Sequence, residues 1–337
     1  MRCRRKWGDC MDQSVRKQEE FSSVSGEIPA APAGQAAAGV LPPPEKKGSL
    51  ARREHLIAFL FILPPIVGFC IFTIGTMIFS FLYSFQNYNV LTQESTFTGW
   101  SNYVDLFTHI LYAENFRKSI FNTIVLLLSI PFSMILGLAL AGLLRLGQVR
   151  GAKVFQILYY LPAVSSAVAM NIVWRYIFNN EFGIINLLIG QKIPWLSDDA
   201  LIKVAIIFKN SVNGMGGAMI LYLAGMLNVP KDYYEAADID GASRLREFFS
   251  ITLPLITPIT FYLLITGLIG GLQSYADSQI FGAGVQGSQT VVYFIWARGI
   301  NQNRYGLASA ASILLAIVIM IITLIQFKFS NKWVYEE

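Results

Sequence analysis

The sequence predicts an all-α protein, a polytopic membrane helical bundle with six transmembrane helices, and three observations carry the prediction. Of its 337 residues 54% are hydrophobic and only 14% charged, against roughly 25% charged in a soluble domain. Six charge-poor apolar stretches reach the roughly 20 residues that a helix needs to cross a hydrocarbon core of about 30 Å. None alternates apolar and polar residues over about ten positions as barrel strands do, and hydrocarbon offers no partner to free backbone groups, so the stretches must be helices. The chain is too apolar for disorder, and Cys3, Cys10 and Cys70 are too few for a disulfide scaffold. A formal charge of +5 is modest and fits an excess of basic residues on one membrane face better than a compact nucleic-acid footprint, so no nucleic-acid partner is expected.

The spans, in order, lie within Leu56 to Tyr83, Ser119 to Leu144, Val154 to Tyr176, Leu201 to Met226, Ile256 to Tyr275 and Tyr305 to Phe327. Their direction follows from lysine and arginine near the helix ends. One set of connections holds Lys46, Lys47, Arg52, Arg53, Arg145, Arg150, Lys153, Lys231, Arg244, Arg246, Lys328 and Lys332. The other holds fewer over longer loops: Arg117, Lys118, Arg175, Lys192, Lys203, Arg298 and Arg304. The bias places both termini, and the connections after the second and fourth spans, in the cytoplasm. Trp100, Trp195 and Trp296 then belong to the outer interface and Trp333 to the inner one.

Residues 1–50 are different text, rich in proline, alanine and glycine from Ile28 to Pro44 and without an apolar run fit for a signal segment. They read as a disordered cytoplasmic tail ahead of a membrane domain at 51–337. Cys3 and Cys10 lack the histidine or second cysteine pair that a metal site needs; Cys70, mid-span, reads as packing. No metal or cofactor is expected. His55 and His109 have no nucleophile or ligand set at credible spacing, and no Gly-x-x-x-x-Gly-Lys-Ser/Thr loop occurs, so no enzyme activity is expected of the chain.

The connection after the fourth span, Asn228 to Pro254, is the polar segment composed for a purpose. Pro230 favours a helix start, Asp232 and Glu235 suit the positive end of its dipole, and Gly241 supplies a left-handed stop. Ser243 is a good N-cap for a second short helix, which Pro254 breaks before the fifth span. Tyr233, Ala236, Ala237 and Asp240 fall at i, i+3, i+4 and i+7, predicting one face whose two alanines allow close approach, with Glu235 beside it. Composition alone leaves open whether this elbow receives a partner or caps its own bundle.

The residues Glu235-Ala-Ala237, Gly241 and Ile251-x-Leu253-Pro254 resemble, at matching spacing, the signature of the integral-membrane subunits of binding-protein-dependent ABC importers. Further text resembles the carbohydrate branch, of the maltose- and glycerol-phosphate-type first-subunit class: Gly99-Trp-Ser-Asn-Tyr103, Leu161-Pro162, Phe182-Gly-Ile-Ile-Asn186, Leu223 to Pro230 and Ile239-Asp-Gly-Ala-Ser243. The resemblance covers residue 56 onward and omits the tail. It implies a type I ABC importer permease fold with its core at about 119–330 and a coupling loop at 228–254. It also implies a permease of the bacterial cytoplasmic membrane, a heterodimer with a second homologous permease subunit, two copies of a cytoplasmic ABC ATPase, an extracellular solute-binding protein, and a sugar or oligosaccharide as cargo. On this resemblance Glu235, Ala236, Ala237, Asp240 and Gly241 contact the ATPase.

Polar groups at membrane depth are costly and often functional. Asn171, Asn213, Gln273, Tyr275 and Asp277, with Lys209 and Asn210 nearby, are candidates for the substrate pathway; aromatics with amides and a carboxylate suit a hydroxyl-rich solute. The competing reading makes the asparagines helix bridges and sets Lys209 and Asp277 at helix ends. Gly214, Gly216, Gly217, Gly267, Gly270 and Gly271 permit close helix packing, within the chain or against another. Two alternatives stand beside sugar import: an ABC permease for a non-sugar solute, since the signature marks coupling and not cargo, and an ion-driven secondary transporter, which should show repeats and mid-membrane carboxylates that are scarce here. A structural or sensory membrane protein is a further rival.

Overall fold

The computed structural model describes residues 50–89, 94–146, 151–330 and 334. Residues 1–49 of the expected tail, with Cys3 and Cys10, and Trp333 lie outside them. The chain divides into two compact units, residues 1–65 and 66–337; the described part of the first, residues 50–65, is helical.

Among the described residues four helical stretches are long and apolar enough to cross a membrane: Ile57–Ser84, Ala113–Arg145, Leu201–Asn228 and Tyr305–Ser330. They correspond to the first, second, fourth and sixth expected spans. The other two are bent. The stretch read as one span from Val154 to Tyr176 is two helices, Ala152–Val164 and Ala167–Ile177, meeting at 102°. Pro162 lacks the N–H that would bond back along the helix, and the Ser165 hydroxyl donates to the Leu161 carbonyl at 2.8 Å. Ser165 and Ser166 then adopt extended ψ of 153° and 128°. The fifth expected span, Thr257–Leu272, is preceded by helical Arg244–Leu255 at 60°. The turn falls at Ile256 and not at Pro254, which sits inside the short helix Leu253–Leu255.

The all-α expectation holds for the spans but misses a two-stranded antiparallel ribbon, Gln86–Asn89 with Glu94–Phe97, paired Gln86 to Phe97 through Asn89 to Glu94. Asn102 ties this ribbon to the bundle, donating from Nδ2 to the carbonyls of Ser84 and Gln86 at 2.9 and 3.0 Å.

Leu201–Asn228 is the axis of residues 66–337. Asp198 starts it, its Oδ1 accepting the Ala200 and Leu201 N–H groups at 2.8 and 2.9 Å, and Val229 ends it in an extended conformation before Pro230. Against it pack the helix Ser129–Leu146 and Ala152–Val164. The approach depends on small residues: a Cβ on Gly137 would meet that of Ala218 at 2.6 Å, and one on Gly216 would overlap the Tyr159 carbonyl. Gly214, Gly267 and Gly271 likewise face Ser133, Ile130 and Leu127, whereas Gly217 and Gly270 face open space. Four of the six small residues singled out in the sequence thus serve packing within the chain. Gly216→Val is expected to cost about 1–3 kcal/mol through overpacking, read as a lower melting temperature of the detergent-purified protein. An unchanged melt would mean that the two helices separate freely there.

Candidate functional site

The elbow forms as local chemistry directs. Lys231–Ile239 is a nine-residue helix. Gly241 leaves it at φ +74°, its N–H donating to the Asp238 carbonyl at 3.1 Å while the Ala242 N–H reaches the Ala237 carbonyl at 2.9 Å. This bond pair is the left-handed C-terminal stop that glycine accommodates without steric cost. Ser243 caps the next helix, Arg244–Glu247, its Oγ accepting the Arg246 N–H at 3.4 Å.

The face expected to allow close approach is not presented whole. Ala237 is buried while Tyr233, Glu235, Ala236 and Asp240 are exposed. The inward side is Ala237 with half-buried Tyr234, whose hydroxyl bonds the Thr252 Oγ1 at 2.8 Å. The Arg145 guanidinium sits 4.8 Å from the Tyr234 ring centre and donates to the Met226 carbonyl. The single face Tyr233–Ala236–Ala237–Asp240 is therefore split: one alanine grips the elbow's own bundle, and the other is presented with the carboxylates. Tyr234, Arg145 and Thr252 were missed by the sequence reading; the signal available was the arginine ending the second span. Around them lies a pocket of about 220 Å³ lined by residues that include Arg145, Tyr234, Asp238, Glu247 and Thr252.

A second arrangement gathers four of the pathway candidates, Asn171, Lys209, Asn210 and Asp277. Lys209, only 2% exposed, sits on Leu201–Asn228 and bonds the Asn171 Oδ1 at 2.5 Å. It also pairs with the Asp277 carboxylate. The other Asp277 oxygen accepts from Asn210 Nδ2 at 2.7 Å and from the Ser274 hydroxyl at 3.4 Å. Asp277 is held in place by a π turn, Asp277–Phe281, which it opens, its carbonyl accepting the Gly282 N–H at 2.8 Å. Lys209 also lies 5.4 Å from the Phe281 ring centre. One turn further along both partner helices, the Trp174 indole donates to Asn213 Oδ1 at 2.9 Å. Lys209 is thus mid-helix and not at an end. The cluster is satisfied within the chain, which is what a buried charge pair requires.

Gln273 and Tyr275 are apart from this brace. Gln273 is exposed, and Tyr275 packs against Trp296 with ring centres 5.5 Å apart. Those two rings, with Tyr305, Ser309 and Ser312, line a pocket of about 370 Å³. Tyr305, Ser309 and Ser312 share one face of the helix Tyr305–Ser330 at i, i+4 and i+7, a signal the sequence reading passed over; Trp296 joins them from Val291–Trp296, which no local pattern reveals. Among the described residues no group of histidine, cysteine and carboxylate side chains stands ready for a metal.

Comparison with known proteins is consistent with this geometry. Residues 106–334 match the family described as "Binding-protein-dependent transport system inner membrane component". The chain is 34% identical over 303 residues, 87% of its length and 96% of the other's, to the probable ABC transporter permease protein YesP of Bacillus subtilis (strain 168). It is 30% identical over 285 residues, 82% and 88% of the two chains, to the arabinooligosaccharides transport system permease protein AraP of the same organism. Among solved structures, a chain of a bacterial alginate ABC transporter, in complex with an alginate pentasaccharide-bound periplasmic protein, superposes with a TM-score of 0.73. That match has 25% identity and covers 85% of this chain and 98% of the other.

Proposed function

Because this chain belongs to the binding-protein-dependent transport system inner membrane components, it is a membrane permease of an ABC importer and not an enzyme, and we propose that its cargo is a sugar or oligosaccharide. Support for the cargo comes from the relative named for arabinooligosaccharides and from the structural neighbour that holds its alginate-bound periplasmic protein. The type I importer architecture fits the four long helices and two bent ones. In this reading the chain pairs with a second, related permease and takes solute from an extracellular binding protein. Energy arrives from two ATPase copies on the cytoplasmic side, where both termini also lie; the excess of basic residues on that set of connections supports the orientation.

The observation that carries the coupling role is the elbow itself. Its turn is fixed by the bonds at Gly241, Ala242 and Ser243, its inner side is locked through Tyr234 and Ala237, and its outer side offers Glu235 and Ala236. A force applied there passes through Tyr234 to Thr252 and Arg145, and so to the inner ends of the fifth and second spans. ATP closes the ATPases around one of two arrangements of the bundle, which is a ligand shifting a two-state equilibrium. Tyr275 and Trp296 offer faces on which a sugar ring stacks, and Ser309 and Ser312 offer hydroxyls; the brace around Lys209 holds the helices that carry this path.

The test is co-purification. The tagged chain, extracted from its native membrane, is expected to bring down an ATPase bearing a Gly-x-x-x-x-Gly-Lys-Ser/Thr loop in stoichiometric amount. Glu235→Lys, which turns an exposed acid into a base without touching the packed side, is expected to lose that ATPase and ATP-driven uptake while inserting normally. Retention of both would remove the coupling role from this helix.

A further inference from the structure

A buried carboxylate oxygen without a partner stands beside the elbow. Glu247 ends the short helix Arg244–Glu247, and its Oε1 is buried with no hydrogen bond. Buried polar atoms are nearly always bonded, and one that is not raises the free energy of the arrangement that leaves it so. Glu247 lines the pocket of about 220 Å³ together with Arg145. The Arg145 guanidinium has five donors; it donates to the Met226 carbonyl and lays its face on the Tyr234 ring. Opposite charges thus line one cavity, and no ion pair joins them.

The two are brought together by a small residue against a large one. Phe248, next to Glu247, lies against Gly142, where a Cβ would meet the ring at 3.4 Å. Gly142 precedes Arg145 by one turn on Ser129–Leu146. Phe248 also opens a π turn, Phe248–Thr252, which the Leu253 N–H closes on the Phe248 carbonyl. A π turn holds one residue more than an α turn, and such turns recur at functional sites. Each α-helical residue turns the chain by about 100°. Passing the extra residue along the helix therefore swings Glu247 about the axis relative to Thr252, which Tyr234 holds by its hydroxyl at 2.8 Å.

The other charged groups on the pocket are Asp238 and Arg244. Asp238 is exposed, so its carboxylate is open to water. Arg244 stands one turn before Glu247 on the same short helix and travels with it, so a bond between those two does not register movement of the elbow. Arg145 belongs to another element, and a bond to it does.

We infer that Glu247 is a positioning residue of the elbow: when the ATPases close on ATP, the π turn rewinds, Glu247 Oε1 takes the Arg145 guanidinium, and the pocket between the elbow and the inner end of the second span shuts. The inference rests on the coupling reading and adds to it a bond made in only one of the two arrangements. A charge-assisted bond is strong enough to matter, and only an interaction that differs between two states shifts their balance.

The experiment uses the whole importer, purified with its ATPase in lipid nanodiscs, without nucleotide and after trapping with ATP, magnesium and vanadate. Glu247→Gln is expected to melt no lower than wild type without nucleotide, because the oxygen it replaces has no bond there to lose. The same variant is expected to lose at least half of the rise in melting temperature on trapping, and to trap at least fivefold less radiolabelled ADP. Glu247→Asp, which keeps the charge on a shorter arm, should recover part of both. In a cycle with Arg145→Gln the two substitutions should add without nucleotide and fail to add when trapped. The bond that Arg145 makes to Met226 is lost in both states and cancels. A lower nucleotide-free melt for Glu247→Gln overturns the inference, since the carboxylate would then serve the resting fold. So does trapping near the wild-type level, the result for a carboxylate that merely meets solvent in the pocket, and so does additivity in both states. The coupling reading fails differently: the wild type itself would show no rise on trapping, and Glu235→Lys would keep its ATPase.

Discussion

Lys209→Ala is expected to destabilise the protein by about 3–5 kcal/mol, the usual cost of removing one partner from a buried ion pair. The substitution leaves the Asp277 carboxylate, itself 8% exposed, with only the Asn210 and Ser274 donors, and frees the Asn171 oxygen from its one described donor. Asp277→Leu alone strands the ammonium instead and is expected to cost a similar amount. The informative variant is the pair Lys209→Met with Asp277→Leu. Removing both charges for apolar groups of similar size is often near neutral, so the double variant should recover most of the loss. A residue of about 1–3 kcal/mol remains for the amides of Asn171 and Asn210, left without partners. Thermal unfolding of the purified protein in detergent measures the cycle. Additive losses would mean the two side chains act independently, and the brace would then not be the tie between the long helix and the π turn.

The same cluster shows where sequence reading ran out. Asn171, Lys209 and Asp277 are each recognisable as polar groups in apolar text, yet they stand far apart along the chain. Neither spacing nor propensity reveals that the kink at Ser165–Ser166 swings Asn171 towards Lys209. That kink was itself half legible: Pro162 was visible, but a proline inside a span signals anything from a slight bend to a full break. Ala237 illustrates a different limit. Its i, i+3, i+4 neighbours define a stripe, and a nine-residue helix lets the stripe begin at Tyr233 or at Tyr234. The choice was made by Thr252 and Arg145, which no local pattern includes. Capping, by contrast, was readable in full, because the bonds that make a helix end lie within a few residues of each other; Gly241 and Ser243 behave as their sequence positions dictate. The six apolar runs were readable for a similar reason, since a helix in hydrocarbon satisfies its backbone within the same segment.

Gly241→Val is expected to cut ATP-driven uptake at least tenfold while the amount of inserted protein stays near wild type. At φ +74° a β-branched residue meets its own backbone, at a cost of roughly 1–3 kcal/mol, and the chain escapes by surrendering the left-handed stop. The Gly241 and Ala242 N–H bonds to Asp238 and Ala237 are then lost, and Ser243 no longer sits where its hydroxyl caps Arg244–Glu247. The spans are insulated from this change. A Cβ at Gly241 meets nothing within 4 Å, so the defect is one of backbone direction and not of crowding. What moves is the angle at which Glu235 and Ala236 are presented relative to Tyr234 and Thr252. Asparagine separates this account from a simple need for a small residue: it is larger than alanine but enters the left-handed region readily. Gly241→Asn is therefore expected to retain uptake within about twofold, and Gly241→Ala to fall between asparagine and valine. Were alanine to outperform asparagine, side-chain size would be the controlling quantity, and the elbow's left-handed turn would have no part in transmitting force.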